Sequence, residues 1–150
     1  MGETRFDWGG NWSGFSKVID SRRIKLAERH LSDWVGKLKG KRFIDVGCGS
    51  GLFSLAAYRL GANVSSFDYD FACSDCCARL REKYAKRERQ KLQWVVQRGS
   101  VLERDFVDGL GRFDVVYSWG VLHHTGEMWA AVSNSARLVK QGGLFCFALY

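Results

Sequence analysis

The chain has 150 residues and a mass of 17.0 kDa, which is enough for one domain with a substantial core. Its formal net charge of +7 is compatible with an acidic or phosphate-bearing partner. Because no apolar run could span a bilayer and no secretory leader pattern occurs, the sequence predicts a cytoplasmic protein without a membrane partner. The five cysteines, an odd number, are predicted to be reduced thiols.

The first 40 residues are predicted to form an aromatic arm followed by a helix. Residues 5–15 combine four aromatic residues with three glycines and have neither helical nor strand periodicity. Two interpretations remain open: a mobile cover over a ligand site, or an arm pinned to the core. From about Asp20 to Gly40 the apolar residues recur at helical spacing. The predicted inner face of this helix comprises Ile24, Ala27, Leu31, Trp34, Val35 and Leu38.

Residues 42–57 predict a buried strand, a glycine turn and a helix. Three alternate glycines, Gly47, Gly49 and Gly51, let a ligand approach the backbone, and the helix that follows offers free N–H groups. The spacing satisfies neither the dinucleotide pattern nor the Walker phosphate loop. With no lysine in the turn and Asp45 just before it, the site favours a ligand that carries an amine or a sulfonium.

The second strand is predicted at residues 63–68 and ends on Asp68, 17 residues beyond Gly51. In a doubly wound fold a carboxylate near this distance binds a ribose diol. A helix follows from about Phe71 to Arg87. Its inner stripe is predicted to comprise Cys73, Cys76, Cys77, Leu80 and Tyr84. No second cysteine pair or histidine pair completes a zinc site, so no metal is predicted.

Seven basic residues lie between Arg79 and Lys91, opposed only by Glu82 and Glu88. This run is either a phosphate-binding face or, as is more usual, the solvated side of a helix and the loop after it. Nucleic acid is therefore the less favoured partner.

The second half of the chain predicts three more strands. The third covers residues 92–97, followed by Gly99-Ser100-Val101 and a weak helix or turn at 103–110. The fourth, Phe113 to Ser118, leads into a loop with adjacent histidines, His123 and His124, which cannot both face one point on a regular helix. A helix at 127–138, with Met128 and Trp129 inward, precedes a turn at 140–143 and a fifth strand at 144–150, buried on both faces.

This alternation of elements predicts an α/β fold with a doubly wound, mostly parallel sheet and helices on both faces. Right-handed crossovers place the carboxyl ends of strands one and four together. The glycine turn, Asp68 and His123 are therefore expected to converge at one edge of the sheet.

The stretch Asp45-Val-Gly-Cys-Gly-Ser-Gly51 resembles motif I of class I S-adenosylmethionine (SAM)-dependent methyltransferases. The resemblance extends from Phe43 to Tyr150 and is closest to the small-molecule branch of type 11/12. It implies one domain over 1–150, with an N-terminal arm and helix at 1–40 and a Rossmann-like core at 41–150. It also implies the strand order 3-2-1-4-5, without the two strands that follow in the family.

The same resemblance implies SAM as cofactor, S-adenosylhomocysteine (SAH) as product, and roles for individual residues. Asp68 corresponds to the motif II acid on the ribose, with Tyr69 beside the adenine. The loop after strand four corresponds to motif IV, which lines the methyl-transfer pocket; His123 is the first choice as base, His124 the alternative, and Trp119 a wall. The implied cofactor-binding residues are Asp45, Gly47, Cys48, Gly49, Gly51, Asp68, Tyr69, Ser100, Val101, Ser118 and Trp119. Ser100 stands where the family usually has aspartate, so weaker adenine recognition is expected.

The main hypothesis is methyl transfer to an oxygen, nitrogen or carbon atom of a small metabolite. RNA methylation through residues 79–91 and a non-catalytic SAM-binding or partner-binding module are the alternatives. The N-P-P-Y-type tetrad of many nucleic-acid amine methylases is absent after strand four, where Ser118-Trp-Gly-Val stands, which favours the small metabolite. Residues 144–150 would form an exposed sheet edge, which predicts a homodimer by strand pairing. The competing expectation is a monomer whose aromatic arm covers that edge.

Overall fold

The structure, a computed structural model, describes residues 19–85 and 93–150. The aromatic arm at 5–15 and the end of the basic run lie outside these ranges. The elements in chain order are α1 (Ser21–Val35), β1 (Arg42–Val46), α2 (Leu52–Arg59), β2 (Asn63–Asp68), α3 (Phe71–Ala85), β3 (Trp94–Arg98), α4 (Arg104–Gly109), β4 (Phe113–Trp119), a 3₁₀ turn (Leu122–His124), α5 (Met128–Ala136) and β5 (Val139–Ala148). None of the helices within the described ranges has the length and apolar character needed to cross a membrane.

The five strands form one parallel sheet in the order β3-β2-β1-β4-β5, which confirms the predicted fold class. One apolar core layer lies between the sheet and helices α1, α2 and α3. The other lies between the sheet and α4, the 3₁₀ turn and α5. The neighbours of β1 in the sheet are β2 and β4, so the strand order reverses beside the glycine turn.

Strand alternation decides which side chains of β1 and β4 face the first core layer. Phe43 belongs to that layer, whereas Ile44 and Val46 belong to the other, so Asp45 faces α1 and α2. Tyr117 of β4 is the register partner of Asp45 and belongs to the same layer. The two polar side chains therefore lie side by side near the carboxyl ends of their strands.

The turn after β1 depends on glycine because its backbone enters the left-handed region. Gly47, Gly49 and Gly51 have φ of 75°, 53° and 89°. A Cβ at Gly51 would lie 2.7 Å from Sγ of Cys77, so glycine also allows α3 to pack closely against the turn. The N–H groups of Gly47 and Cys48 both donate to the carbonyl of Phe67 at 3.0 Å, which ties the turn to the end of β2.

The prediction for the last strand was wrong in its start and its burial. β5 begins at Val139, so the predicted turn at 140–143 lies inside the strand, where Gly142 has φ of +77° and the register with β4 is irregular. None of its residues is fully buried, and Leu144 and Phe147 are 41% and 38% exposed. The reason is its position at the sheet edge, where α1 and α5 contact it only sparsely.

Two tryptophans predicted to face the core are exposed instead. Trp34 is 60% exposed and Trp129 is 72% exposed. Helix α1 ends at Val35, before Gly36, and not at Gly40 as predicted, so Trp34 lies in its last turn. The Trp34 ring makes a T-shaped contact with Trp119, with centroids 5.5 Å apart. Trp129 lies in the first turn of α5, where the inward positions are Ala131 and Ser135.

Candidate functional site

A cavity of about 740 Å³ opens at the carboxyl ends of the strands. Its lining comes from the glycine turn and from the residues that follow β2, β3 and β4. The lining residues are Asp45, Val46, Gly47, Cys48, Ser50, Leu52, Phe53, Phe67, Asp68, Tyr69, Asp70, Phe71, Arg98, Gly99, Val101, Tyr117, Trp119, Gly120, Val121, His124, Thr125 and Tyr150. The cavity thus lies where ligands bind in open α/β sheets.

The carboxylate of Asp68 is held in place by backbone donors. Its Oδ2 accepts the N–H of Gly49 at 3.0 Å, and its Oδ1 accepts the N–H of Asp70 at 3.0 Å. Burial raises the pKa of Asp68, and these two N–H groups oppose the rise. A carboxylate has about four acceptor positions, so acceptor capacity remains for a ligand's hydroxyl groups.

Asp45 ends a buried chain of hydrogen bonds beneath the cavity. Trp94 Nε1 donates to Ser66 Oγ at 3.0 Å, and Ser66 Oγ donates to Ser54 Oγ at 2.7 Å. Ser54 Oγ in turn donates to Oδ2 of Asp45 at 2.6 Å. Asp45 is only 3% exposed, and burial raises its pKa to about 7. The hydrogen bond from Ser54 opposes this rise, and the negative charge of Asp68 adds a smaller rise. This carboxyl group therefore titrates near neutral pH.

Three rings form one side of the cavity, and we call Phe53, Tyr117 and Trp119 the aromatic wall. His30 of α1 lies behind them, with Nε2 3.1 Å from the hydroxyl of Tyr117. Burial and the nearby acids raise the pKa of Tyr117, so its hydroxyl keeps its proton. Sequence reasoning missed Phe53, Tyr117 and His30 as site residues. Side chains alternate along β4, so Tyr117 is expected on the same face of the sheet as Trp119. No pattern in the sequence indicates that His30 contacts them.

The two histidines of the 3₁₀ turn lie in different surroundings. His124 lines the cavity, whereas His123 does not. The two rings are nevertheless neighbours, with centroids 3.8 Å apart, and the ring of His123 lies 5.0 Å from that of Tyr150, which lines the cavity. Both ring nitrogens of His123 are shielded from solvent, and neither has a hydrogen-bond partner within residues 19–85 and 93–150. Burial, and then the neighbouring His124, lower the pKa of His123.

Most residues predicted to bind the cofactor lie at the cavity, and the others support it. Asp45, Gly47, Cys48, Asp68, Tyr69, Val101 and Trp119 line it. Gly49 donates its N–H to Asp68, and Gly51 is the N-cap residue that precedes α2. Ser118 Oγ donates to the carbonyl of Val46 at 2.9 Å, which joins β4 to β1, and Ser100 Oγ accepts the N–H of Leu102 at 3.2 Å. The predicted convergence of the glycine turn and Asp68 is present, with His124 in the position expected for His123.

Residues 44–147 match the family model described as "Methyltransferase domain". This match covers more than half of the chain. The chain therefore belongs to the methyltransferase domain family.

Curated relatives include the ubiquinone biosynthesis O-methyltransferases of Coxiella burnetii (strain Dugway 5J108-111) and Cronobacter sakazakii, which are 29% and 34% identical. Each alignment covers 95% of this chain but only 56% and 54% of the relative. The chain thus spans about half the length of these relatives.

Solved structures share the fold at lower identity. A SAM-dependent methyltransferase from Methanococcus maripaludis has a TM-score of 0.73 at 17% identity, covering 99% of this chain and 67% of that one. The magnesium protoporphyrin IX methyltransferase of Synechocystis PCC 6803, solved with bound SAH, has a TM-score of 0.66 at 20% identity, covering 89% and 64%.

The substitution Asp45→Asn should stabilise the protein above neutral pH. The pKa of Asp45 is raised on folding, so ionisation destabilises the native state increasingly as pH rises from about 4 to about 7. Asparagine keeps an acceptor for Ser54 without the charge. At pH 8 the variant should exceed the wild type in free energy of unfolding by about 2–4 kcal/mol, and the difference should shrink towards pH 4.5. Urea denaturation across this pH range measures it; a difference independent of pH would contradict the account.

Proposed function

We propose that this chain is the SAM-binding catalytic domain of a methyltransferase that acts on an oxygen, nitrogen or carbon atom of a small metabolite. The observation that carries the proposal is the partly buried carboxylate of Asp68, oriented by backbone N–H groups beside a glycine turn at the switch point of the sheet. The similarity to O-methyltransferases of ubiquinone biosynthesis supports a hydroxyl acceptor.

The groups that line the cavity fit SAM. The remaining acceptor positions of Asp68 suit the two hydroxyls of a ribose. Tyr69 and Val101 supply apolar surface for an adenine, and the glycine turn offers backbone without Cβ atoms to the methionine part. Three carboxylates, Asp45, Asp68 and Asp70, line the cavity, which suits a ligand that carries two positive charges.

When bound, SAM supplies a methyl group activated by a positively charged sulfur. The chain would contribute mainly position, because the acceptor atom must lie in line with the methyl group and the sulfur. His124 is the candidate that would take the proton from a hydroxyl or amine acceptor, because it lies on the cavity wall. His123 remains the alternative, because its ring lies 3.8 Å from that of His124 and 5.0 Å from that of Tyr150, which lines the cavity.

Wild-type protein should bind both SAM and SAH in a calorimetric titration. Asp68→Asn should weaken both at least about tenfold, because a hydrogen bond to a charged group contributes roughly 1.5–3 kcal/mol. Asp75→Asn, on α3 and paired with Arg79, is the matched control and should leave binding unchanged. Absence of saturable heat in the wild type with either ligand would reject the cofactor assignment.

A search for the acceptor should use release of SAH from SAM, with hydroxylated, amine and activated-carbon small molecules in separate pools and total RNA as a further arm. With an active acceptor, His124→Ala should lower turnover by roughly two to four orders of magnitude and leave SAM binding nearly unchanged. His123→Ala should have a smaller effect on turnover. Equal turnover in the two variants would remove both as the required base.

RNA is the alternative acceptor, and two described contacts weigh against it. Arg79 pairs with Asp75, and Arg81 donates to the carbonyl of Trp94, so these cations of the basic run already have protein partners. Methyl transfer to RNA but to no small molecule would favour the alternative. Transfer to neither, with SAM still bound, would favour a non-catalytic module. The odd number of cysteines in the sequence supports a location where thiols stay reduced, such as the cytoplasm.

A homodimer through residues 144–150 is the last part of the proposal. Within the described ranges β5 pairs only with β4, and Leu144, Phe147 and Tyr150 are exposed along this edge. Light scattering at micromolar concentration should show a dimer that Phe147→Asp dissociates. Trp129→Asp, at an exposed ring on α5, should leave the dimer intact. A monodisperse wild-type monomer would contradict the dimer.

A further inference from the structure

The strand order arranges the polar groups of the cavity in a line. Asp68 stands at the end of β2, the glycine turn at the end of β1, and Trp119 at the end of β4. In SAM the ribose and the sulfur follow each other along the molecule. If Asp68 binds the ribose, as the proposed function requires, the sulfur falls between the glycine turn and the aromatic wall.

The chemical problem at this position is to distinguish substrate from product. SAM and SAH have the same adenosine and the same amino-acid end, so Asp68 and the glycine turn treat them alike. They differ only in one methyl group and in one positive charge on the sulfur. Groups in contact with the sulfur act on this difference most directly, in addition to the attraction of the cavity carboxylates for the positive charge.

The rings beside this position are closely packed and fixed in orientation. Tyr117 and Trp119 are parallel to within 9°, with centroids 6.0 Å apart, and Phe53 lies 5.4 Å from Tyr117. The imidazole of His30 contacts all three: it stands edge-on to Trp119 at 4.7 Å, lies 5.3 Å from Phe53, and bonds the Tyr117 hydroxyl. His30 is therefore in contact with every ring of the aromatic wall, while Trp34 of α1 also packs on Trp119 and Phe43 on Tyr117.

We propose that the aromatic wall of Phe53, Tyr117 and Trp119, held in place by His30, attracts the sulfonium cation and makes the cavity bind SAM more tightly than SAH. The face of an aromatic ring carries negative potential, and a cation over it is stabilised most strongly where water is excluded. A neutral thioether gains no such stabilisation, so the wall also favours release of the product.

His30 acts here as a positioning residue. Burial lowers its pKa, against the opposing effect of Asp33, so the imidazole stays neutral and does not repel a cation near neutral pH. Loss of the imidazole should let the rings reorient, which would weaken the discrimination without removing the rings themselves.

The test is the ratio of the two dissociation constants, Kd(SAH)/Kd(SAM), from calorimetry on the full chain. The wild-type ratio should exceed one. Trp119→Leu and, as a second variant, Phe53→Leu should each lower it about three- to tenfold, because the cation loses an aromatic face. Trp119→Phe should retain most of the ratio. Trp129→Leu, an exposed ring outside the cavity, is the matched control and should not change it.

His30→Ala should lower the ratio about two- to threefold, and His30→Gln, which keeps a polar partner for Tyr117, should restore part of it. Equal weakening of SAM and SAH in the leucine variants would overturn the proposal, because the wall would then act only through shape. A wild-type ratio of one would also overturn this proposal. The proposed function would still stand in that case, because the chain would bind both SAM and SAH. If the wild type binds neither ligand, both proposals fail.

Discussion

The carboxylate of Asp68 connects the fold to the site. By accepting the N–H groups of Gly49 and Asp70, it joins the turn after β1 to the start of α3. The carbonyl of Phe67 adds two further bonds to the same turn. Because the turn is left-handed at three glycines and packs against Cys77, it has little freedom to move. The group proposed to bind the ribose is thus fixed in advance by backbone contacts.

The buried Asp45 carboxylate beside this turn lowers the stability of the folded protein when it is ionised, and the proposed ligand would offset this effect. Asp45 lies beneath the cavity with a raised pKa, and the serine chain from Trp94 satisfies only part of its acceptor capacity. A cationic ligand would favour the ionised form. The aromatic wall lies beside this carboxyl group because Tyr117 is the register partner of Asp45 in the sheet. Carboxylate and rings therefore act on the same end of the cavity.

The fold was predictable from local patterns. The apolar strand, the glycine turn and the helix periods predict β1, α2 and a mostly parallel sheet, and crossover handedness leaves few arrangements of it. The strand order 3-2-1-4-5 follows from the family resemblance. The errors fall where long-range packing decides. A continuous apolar run suggested that β5 is buried, but burial depends on which helices cover the sheet edge. Trp34 and Trp129 fit helical stripes but lie in terminal turns that extend past the core.

The placement of the candidate site residues was predictable where they follow strand ends and unpredictable where it depends on contacts between distant residues. Asp68 and the glycine turn follow from position in the chain. The sequence does not show which of the two adjacent histidines lines the cavity, because this depends on how the 3₁₀ turn packs against the core and α5. His30 is 87 residues from Tyr117 and has no motif of its own, so only the packing of α1 reveals it.

The most direct measurement is a crystal structure of this chain with SAH. The account predicts the ribose hydroxyls within hydrogen-bond distance of the Asp68 carboxylate, and the sulfur between the glycine turn and Trp119. Density for the ligand at another surface, or a ribose that makes no contact with Asp68, would contradict the assignment of this cavity as the cofactor site.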